Sequence, residues 1–325
     1  MRAVLCKDWG GPQTLVVEEV PEPSPGPGEV CIEVHAASVN FADTLMIAGK
    51  YQVKPERPFS PGMEVGGVVS ACGEGVSGLA VGQRVMAVTG QGAYAERVVA
   101  PEKDVFAIPD SMPFDEAASF PVAYGTSHLG LCRRAQLKAG EVLLVHGAAG
   151  GVGITAVEIG RHLGATVIAT AGTDAKLAIA RSHGAHHGVD YAAEDVRERV
   201  LELTGGRGAD VIYDPVGGDV FDASLRCINW EGRILVVGFA AGRIPSAPAN
   251  YLLVKNCATI GVFWGAYSRR DPATLRAGME ALLGWYEEGA LKPHISLRYS
   301  MDEVPAAMNA LLERRSTGKV VISIR

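Results

Sequence analysis

The sequence predicts an α/β protein in which a β-rich domain precedes a doubly wound parallel sheet. Two observations lead to this fold class. Between residues 142 and 263, six short apolar segments alternate with segments of helical periodicity, as in parallel strands joined by crossover helices. Before residue 100, short β-prone segments are separated by glycine and proline, which is typical of a β-rich domain.

Length and composition limit the number of domains, the kinds of binding partner and the cellular location that we expect. At 325 residues the chain suggests about two domains. The formal net charge of −6 argues against nucleic acid or an anionic membrane as the main partner. Charged residues come too early in Met1–Asp8 for a signal peptide, and no apolar run reaches about eighteen residues. We therefore expect a cytoplasmic protein without a membrane anchor.

The first domain consists of short strands, which we predict at 15–17, 29–35, 66–70, 83–88 and 93–99. The proline-rich stretch Pro21–Gly28 predicts an exposed loop. Helical spacing begins near Phe114, and we place the domain boundary after residue 121. The last strand, 319–324, would be an exposed edge by itself, so we expect it to rejoin the first domain. The predicted domains are therefore 1–121 with 265–325, and 122–264.

The second domain begins with the stretch Glu141–Gly153, which predicts a buried strand, a glycine turn and the start of a helix. Gly150 and Gly153 match the second and third glycines of the dinucleotide fingerprint, and Ala148 stands in the place of the first. A second strand at 166–171 closes a βαβ unit. A glycine-rich turn of another α/β protein is the alternative. The candidate diphosphate-binding residues are Gly150, Gly151, Val152 and Gly153, at the positive end of the helix.

The remaining strands of the second domain are predicted at 188–191, 210–214, 233–238 and 259–263, with amphipathic helices at 272–288 and 302–314 further on. The apolar segment 258–264 would leave an unprotected sheet edge. We therefore expect a homodimer joined through that strand.

Several phrases spread along the chain resemble the medium-chain dehydrogenase/reductase superfamily, in particular its zinc-free, zeta-crystallin-like NADPH:quinone oxidoreductase branch. This resemblance implies a GroES-like catalytic domain followed by a Rossmann dinucleotide-binding domain. The matching phrases are Pro25-Gly-Pro-Gly-Glu29, Ser38-Val-Asn-Phe-Ala-Asp43, Pro61-Gly-Met-Glu64, Gly82-Gln-Arg-Val85, Tyr124-Gly-Thr126, the glycine stretch 148–153 and Thr317-Gly-Lys319.

Two residues depart from the metal-dependent members of that superfamily. Those enzymes have a cysteine in the place of Asn40 and a histidine in the place of Met63. The six cysteines of this chain are scattered without a C-x-x-C pair, which indicates reduced thiols. We therefore expect no metal. Without a Lewis acid, reduction of an electron-poor quinone or conjugated enone is favoured over alcohol oxidation.

The residues after the strand at 166–171 bear on the choice of cofactor. NAD enzymes generally have an acidic residue there, whereas this strand is followed by Gly172 and Thr173, and Asp174 comes late. Lys176 matches a lysine that pairs with a 2′-phosphate in the family, which favours NADPH, and Tyr191 is expected to flank the same phosphate. A solvated lysine and a packing tyrosine are the alternatives. By resemblance, further cofactor contacts are Asn40, Thr126, Val216, Phe239, Phe263 and, at the diphosphate, Lys319.

The candidate catalytic residues are Asn40, Asp43 and Tyr51, on a loop that resembles the family's active-site wall. Asn40 could donate a hydrogen bond to the acceptor carbonyl, and Tyr51 could donate or relay a proton to the developing anion. Asp43 is expected to orient them. The alternatives are turn formation for Asn40 and Asp43 and packing for Tyr51.

The function that these observations predict is an NADPH-dependent reductase that transfers hydride to a small-molecule quinone or enone. Within enzymes, the alternative is an enoyl-thioester or 2-alkenal reductase, because the sequence does not reveal the size of the pocket. An alternative of another class is a low-turnover NADPH-binding protein with an RNA-binding or structural role. The acidic net charge counts mildly against RNA.

Overall fold

The computed structural model describes all 325 residues, which divide into two compact units. The first unit comprises Met1–Val122 and Pro293–Arg325, and the second comprises Ala123–Lys292. The second boundary therefore lies after residue 292 instead of the predicted 264. The physical reason is visible at Trp285, whose ring lies 5.4 Å from that of His128 and 4.4 Å from that of His162, both in the second unit.

The N-terminal part of the first unit is rich in strands, as predicted. Its elements are β1 (Arg2–Leu5), β2 (Val16–Glu19), β3 (Glu29–Val39), α1 (Phe41–Ile47), β4 (Glu64–Cys72), β5 (Arg84–Val88), β6 (Arg97–Pro101), β7 (Val105–Ala107) and α2 (Phe114–Ser119). The stretch that contains Asn40 and Asp43 was predicted as loop, but it forms the start of α1. The cause is a capping box, in which the Asp43 carboxylate accepts the Asn40 backbone N–H.

The second unit is built on a six-stranded parallel sheet with the order β10-β9-β8-β11-β12-β13. This order confirms the doubly wound sheet, because the chain reverses direction across the sheet after its third strand. The elements from residue 121 onward are α3 (Pro121–His128), a π-helical turn (Leu129–Arg134), β8 (Val142–Val145), α4 (Gly151–His162), β9 (Thr166–Ala171), α5 (Asp174–Ser182), β10 (His187–Asp190), α6 (Val196–Leu203), β11 (Ala209–Asp214), α7 (Gly218–Cys227), β12 (Ile228–Val236), α8 (Ala249–Lys255), β13 (Ala258–Gly261), α9 (Tyr267–Arg270) and α10 (Pro272–Glu287).

The C-terminal segment completes the first unit with β14 (Ile295–Ser300), α11 (Val304–Leu312) and β15 (Lys319–Ser323). The prediction that the last strand rejoins the first domain is confirmed, since β15 pairs antiparallel with β3. The strand β14 was not predicted; it pairs parallel with β15 at the edge of a seven-stranded sheet. Its sequence, Ile295-Ser-Leu-Arg-Tyr-Ser300, alternates apolar and polar residues, so a local period-two signal for this strand was present and was missed.

Each unit has its own apolar core, which fixes the strands that carry the candidate site. In the first unit the core lies between the seven-stranded sheet and α11, and includes Val34, Val65, Met308 and Val320. In the second, Leu144, Ile168, Ile212 and Ile234 from four neighbouring strands pack together. No helix combines the length and the apolar character that crossing a membrane requires.

Candidate functional site

The glycine turn of the second unit joins β8 to α4. Gly147 has a φ of +56°, a left-handed conformation that favours glycine, and Gly150 is the N-cap of α4. The tight turn therefore uses Gly147, which directly precedes the position where the fingerprint has its first glycine and this chain has Ala148. No side chain caps this helix, and its first turn carries no acidic residue. The positive end of the helix is thus available to an anion.

Gly153 shows why this turn excludes larger residues. A Cβ atom at position 153 would lie 2.1 Å from the Gly147 carbonyl oxygen and 2.8 Å from the Ala148 Cα. Both neighbours are backbone atoms, which cannot move aside as a flexible side chain could. The missing Cβ therefore lets the helix start close to the preceding turn. A Cβ atom at position 150 would lie 3.2 Å from the Gly147 carbonyl oxygen, so Gly150 tolerates a methyl group better than Gly153 does.

Substitution of Gly153 by alanine is expected to destabilise the second unit by about 1–3 kcal/mol, because the added methyl group overpacks a backbone contact. It should also raise the dissociation constant of a bound dinucleotide. Gly284→Ala is the matched control, since a Cβ there meets nothing within 4 Å in helix α10. Denaturant unfolding of both variants tests this; equal stabilities of Gly153→Ala and wild type would show that the turn relaxes freely.

The carboxyl end of β9 brings four predicted residues together. The Thr173 side chain caps α5 by accepting the backbone N–H of Lys176 at 3.3 Å. The ring of Tyr191 lies directly over Gly172, where a Cβ would come within 2.8 Å of the phenol oxygen. Tyr191 nevertheless stays 46% exposed, so it is not the buried packing residue of the alternative interpretation. The carboxyl end of β9 therefore lies beside the start of α5, the cation of Lys176 and the exposed ring of Tyr191.

The other predicted cofactor residues of this unit are distributed along the sheet. Val216 follows β11, and a Cβ at Gly147 would lie 3.3 Å from its Cγ2 atom, so Val216 lies beside the glycine turn. Phe239, after β12, packs on Gly217. Phe263, after β13, is 44% exposed, and Thr126 lies partly buried in α3. All except Thr126 follow carboxyl ends of strands, where ligands of doubly wound sheets bind.

Asn40 belongs to a buried polar network in the first unit. Its Nδ2 donates to Glu64 Oε1 at 2.8 Å, and its Oδ1 accepts from Lys319 Nζ at 2.7 Å. Lys319 and Glu64 also form an ion pair of 2.9 Å, with Lys319 only 6% exposed and Glu64 fully buried. Glu64 accepts further hydrogen bonds from the Ser38 hydroxyl and the Val122 backbone N–H. Lys319 is thus part of a buried network and is not a solvated surface lysine.

Asp43 lies beside this network and is also fully buried. Its Oδ2 accepts the Asn40 backbone N–H and the Tyr94 hydroxyl, at 2.7 and 2.9 Å, whereas its Oδ1 has no partner. Burial raises the pKa of Asp43 to about 7, against the opposing effect of these hydrogen bonds. Asp43 therefore titrates near neutral pH.

Tyr51 follows α1 and packs partly buried against the core of the first unit. Burial raises the pKa of its phenol, and the nearby Asp43 carboxylate raises it further. The phenol is therefore protonated at neutral pH and able to donate a hydrogen bond.

Sequence reasoning missed Glu64, Ser38 and Tyr94. A signal for Glu64 was present, because a glutamate that heads an apolar strand must find a buried partner. Ser38 and Asn40 also alternate at the end of β3, which places them on one face of the chain. No local pattern indicated Tyr94, since its partner Asp43 is 51 residues away in sequence.

The chain matches two family models along most of its length. The model described as the alcohol dehydrogenase GroES-like domain covers residues 26–110, and that described as zinc-binding dehydrogenase covers residues 151–283. Over its full length the chain is 43% identical to the quinone oxidoreductase-like protein 2 homolog of Nematostella vectensis, spanning 89% of that protein.

Two solved structures extend the comparison, each covering 100% of both chains. The quinone oxidoreductase of Escherichia coli, complexed with NADPH, superposes with a TM-score of 0.92 at 28% identity. A 2-haloacrylate reductase superposes with a TM-score of 0.88 at 31% identity. These matches define an oxidoreductase with a GroES-like and a dinucleotide-binding type of domain. The chain belongs to the quinone oxidoreductase-like branch of the medium-chain dehydrogenase/reductase superfamily.

The residues present do not fit the zinc that one family model names. The structure contains no group of three or more histidine, cysteine, aspartate or glutamate side chains that could hold a metal ion. Met63 is buried and offers only a thioether, and both amide atoms of Asn40 are engaged by Glu64 and Lys319. Zinc prefers thiolate, imidazole and carboxylate ligands in tetrahedral sets, which these positions do not supply.

Proposed function

We propose that the protein is a zinc-independent NADPH-dependent reductase of quinones or conjugated enones. The observation that carries this proposal is the likeness, over the whole chain, to quinone oxidoreductases, one of them complexed with NADPH. The likeness to a 2-haloacrylate reductase supports conjugated alkenes as a second acceptor class. When bound, the cofactor supplies a hydride; the residues of the chain bind it and prepare the acceptor.

In the second unit, the proposed task is cofactor binding. The uncapped start of α4 and the close approach permitted by Gly153 suit a diphosphate. Lys176 and Tyr191 at the end of β9 suit a 2′-phosphate with its adenosine, while Val216, Phe239, Phe263 and Thr126 are proposed to line the remainder of the cofactor.

In the first unit, the proposed task is to stabilise negative charge on the acceptor. The Asn40 amide has two N–H groups, and Glu64 takes one of them, which leaves the other for an acceptor oxygen. The protonated phenol of Tyr51 is proposed as a second donor. Neither group requires a metal.

NADPH is expected to bind at least about tenfold more tightly than NADH, because Lys176 would pair with the 2′-phosphate. Lys176→Ala should then weaken NADPH binding by about 1–3 kcal/mol and leave NADH binding nearly unchanged. Arg181→Ala, which removes one positive charge from the last turn of the same helix, is the control. Fluorescence titration with both cofactors measures the effect. Equal losses for NADPH and NADH would contradict the assignment of Lys176.

The test of the proposed function is NADPH consumption against a panel of quinones, 2-alkenals, enoyl-CoA thioesters and 2-haloacrylate. Turnover with quinones or enones that persists in a chelator supports the proposal. Faster turnover of thioesters alone would assign an enoyl-thioester reductase. NADPH binding without turnover of any acceptor would indicate a binding protein, and an added polyanion then tests for RNA binding.

A homodimer joined through β13 is also proposed, since this strand pairs only with β12 and ends the sheet. The Val262 N–H donates to Val236 of β12, so by alternation the outward N–H groups belong to Thr259 and Gly261. Thr259→Pro removes one outward donor and should yield monomers at micromolar concentration, whereas Thr259→Val keeps the donor and should stay dimeric. A monomeric wild type in size-exclusion chromatography with light scattering would contradict this interface.

A further inference from the structure

Lys319 and Glu64 hold the Asn40 carboxamide from both sides. Lys319 Nζ donates to Asn40 Oδ1 at 2.7 Å, and Glu64 Oε1 accepts from Asn40 Nδ2 at 2.8 Å. The two charged groups lie 2.9 Å apart. The amide therefore bridges an ion pair, with its oxygen on the cation and its nitrogen on the anion.

This arrangement distinguishes the two possible orientations of the amide. If the amide turned over, its oxygen would face the Glu64 carboxylate and its NH₂ group would face the Lys319 ammonium. Both contacts would be repulsive, and burial of both charged groups strengthens the repulsion because little water screens it. A neutral donor and acceptor would discriminate less between the two orientations, because hydrogen bonds to charged groups are roughly twice as strong.

The ion pair is itself held in place by the fold. Glu64 Oε2 accepts the Val122 backbone N–H at 2.7 Å, and Oε1 also accepts from Ser38 at 2.5 Å. Lys319 comes from β15, which is fixed to β3 by antiparallel pairing. A buried ion pair contributes little net stability, so stability alone does not account for its presence here.

We propose that Lys319 and Glu64 are positioning residues, which orient the Asn40 amide so that its remaining N–H donates to the oxygen of the acceptor. This inference rests on the proposed function and adds two residues to it. It also gives Lys319 a different task from the cofactor diphosphate contact that the family resemblance implies. The cation then acts through Asn40 and not on the cofactor.

A double-mutant cycle tests whether Lys319 acts through Asn40. Lys319→Met should lower kcat with a quinone by about ten- to a hundredfold, because a misplaced donor no longer meets the developing charge. In an Asn40→Ala background, the same change should lower kcat less than about threefold. The dissociation constant of NADPH should stay unchanged. Lys7→Met is the control, since Lys7 pairs with Glu18 at the surface of the same unit.

Two outcomes of the cycle would overturn the proposal. Equal losses of kcat in both backgrounds would show that Lys319 acts independently of Asn40. A weakened NADPH affinity with unchanged kcat at saturating NADPH would assign Lys319 to the cofactor. Because Lys319→Met leaves Glu64 as an unpaired buried charge, the variant Lys319→Met/Glu64→Gln removes both charges and serves if the single variant does not fold. The same loss of kcat is expected there.

An NMR readout separates this proposal from the proposed function. The chain contains five asparagines, so selective ¹⁵N-asparagine labelling gives few side-chain signals, and Asn40→Ala assigns the relevant one. The Asn40 amide hydrogen that is bonded to Glu64 should exchange with solvent about tenfold or more slowly in wild type than in Lys319→Met/Glu64→Gln. Equal exchange rates would overturn the positioning role. A wild type without turnover of any acceptor would overturn only the proposed function, since the exchange readout needs no substrate.

Discussion

Replacement of Tyr51 by phenylalanine is expected to lower kcat for a conjugated enone by about ten- to a thousandfold while NADPH affinity stays nearly unchanged. The reason is that the phenol would donate to an oxygen that gains charge only as the reaction proceeds. Its pKa, raised by burial and by Asp43, keeps the proton on the phenol at neutral pH. A quinone should suffer less, because its reduced anion is intrinsically more stable and takes a proton from water.

The measurement is steady-state kinetics of Tyr51→Phe with one enone and one quinone at saturating NADPH. Tyr299→Phe is the matched control, since Tyr299 also packs partly buried against the core of the first unit but lies on strand β14. Wild-type kcat of Tyr51→Phe with both substrates would reduce Tyr51 to a packing residue and leave solvent as the proton source.

The second unit was the more predictable part of the fold. Its strands are short apolar segments separated by helices. Each strand can therefore be predicted from its own residues, without knowledge of its partners in the sheet. The doubly wound class of the sheet follows from the alternation of strands with crossover helices. The error in the domain boundary has a different origin, because the packing of Trp285 against His128 and His162 is a tertiary contact that no local pattern encodes.

The candidate site of the first unit was predictable only in part. Asn40 and Asp43 were found through phrases that resemble a family, but the sequence assigned them to a loop. The helix that contains them begins with a capping box, in which the Asp43 carboxylate accepts the Asn40 backbone N–H. This sequence signal involves only two residues, so it is easily missed. The ion pair of Glu64 and Lys319 joins residues 255 positions apart, so only the paired strands reveal it.

Asp43 provides the prediction with the largest effect on stability. In the folded protein its pKa is about 7, against an ordinary value of 3.8, because burial disfavours the charged form. The folded state therefore binds the proton more strongly than the unfolded state does. The free energy of unfolding must fall as the pH rises from about 4 to about 7, where the unfolded chain has already lost this proton.

Asp43→Asn removes this dependence, because the amide is neutral at every pH and its NH₂ group replaces the protonated oxygen. Relative to wild type, the variant should gain about 4 kcal/mol in free energy of unfolding at pH 8, but only about 2 kcal/mol at pH 5. The difference between variant and wild type isolates Asp43, since all other groups titrate in both proteins. Asp302→Asn, at an exposed carboxylate that pairs with Arg2, is the control for replacing a surface carboxylate by an amide.

Denaturant unfolding at pH 5 and pH 8 measures these differences. If the stability gain of Asp43→Asn grows with pH, the folded protein favours the neutral form of the Asp43 carboxyl group. Such a destabilising carboxylate is typical of functional sites, where activity and stability often conflict. A variant less stable than wild type at pH 8 would instead show that folding lowers the pKa of Asp43 below its ordinary value. The hydrogen bonds from Asn40 and Tyr94, together with the charge of Lys319, would then outweigh the effect of burial on its carboxylate.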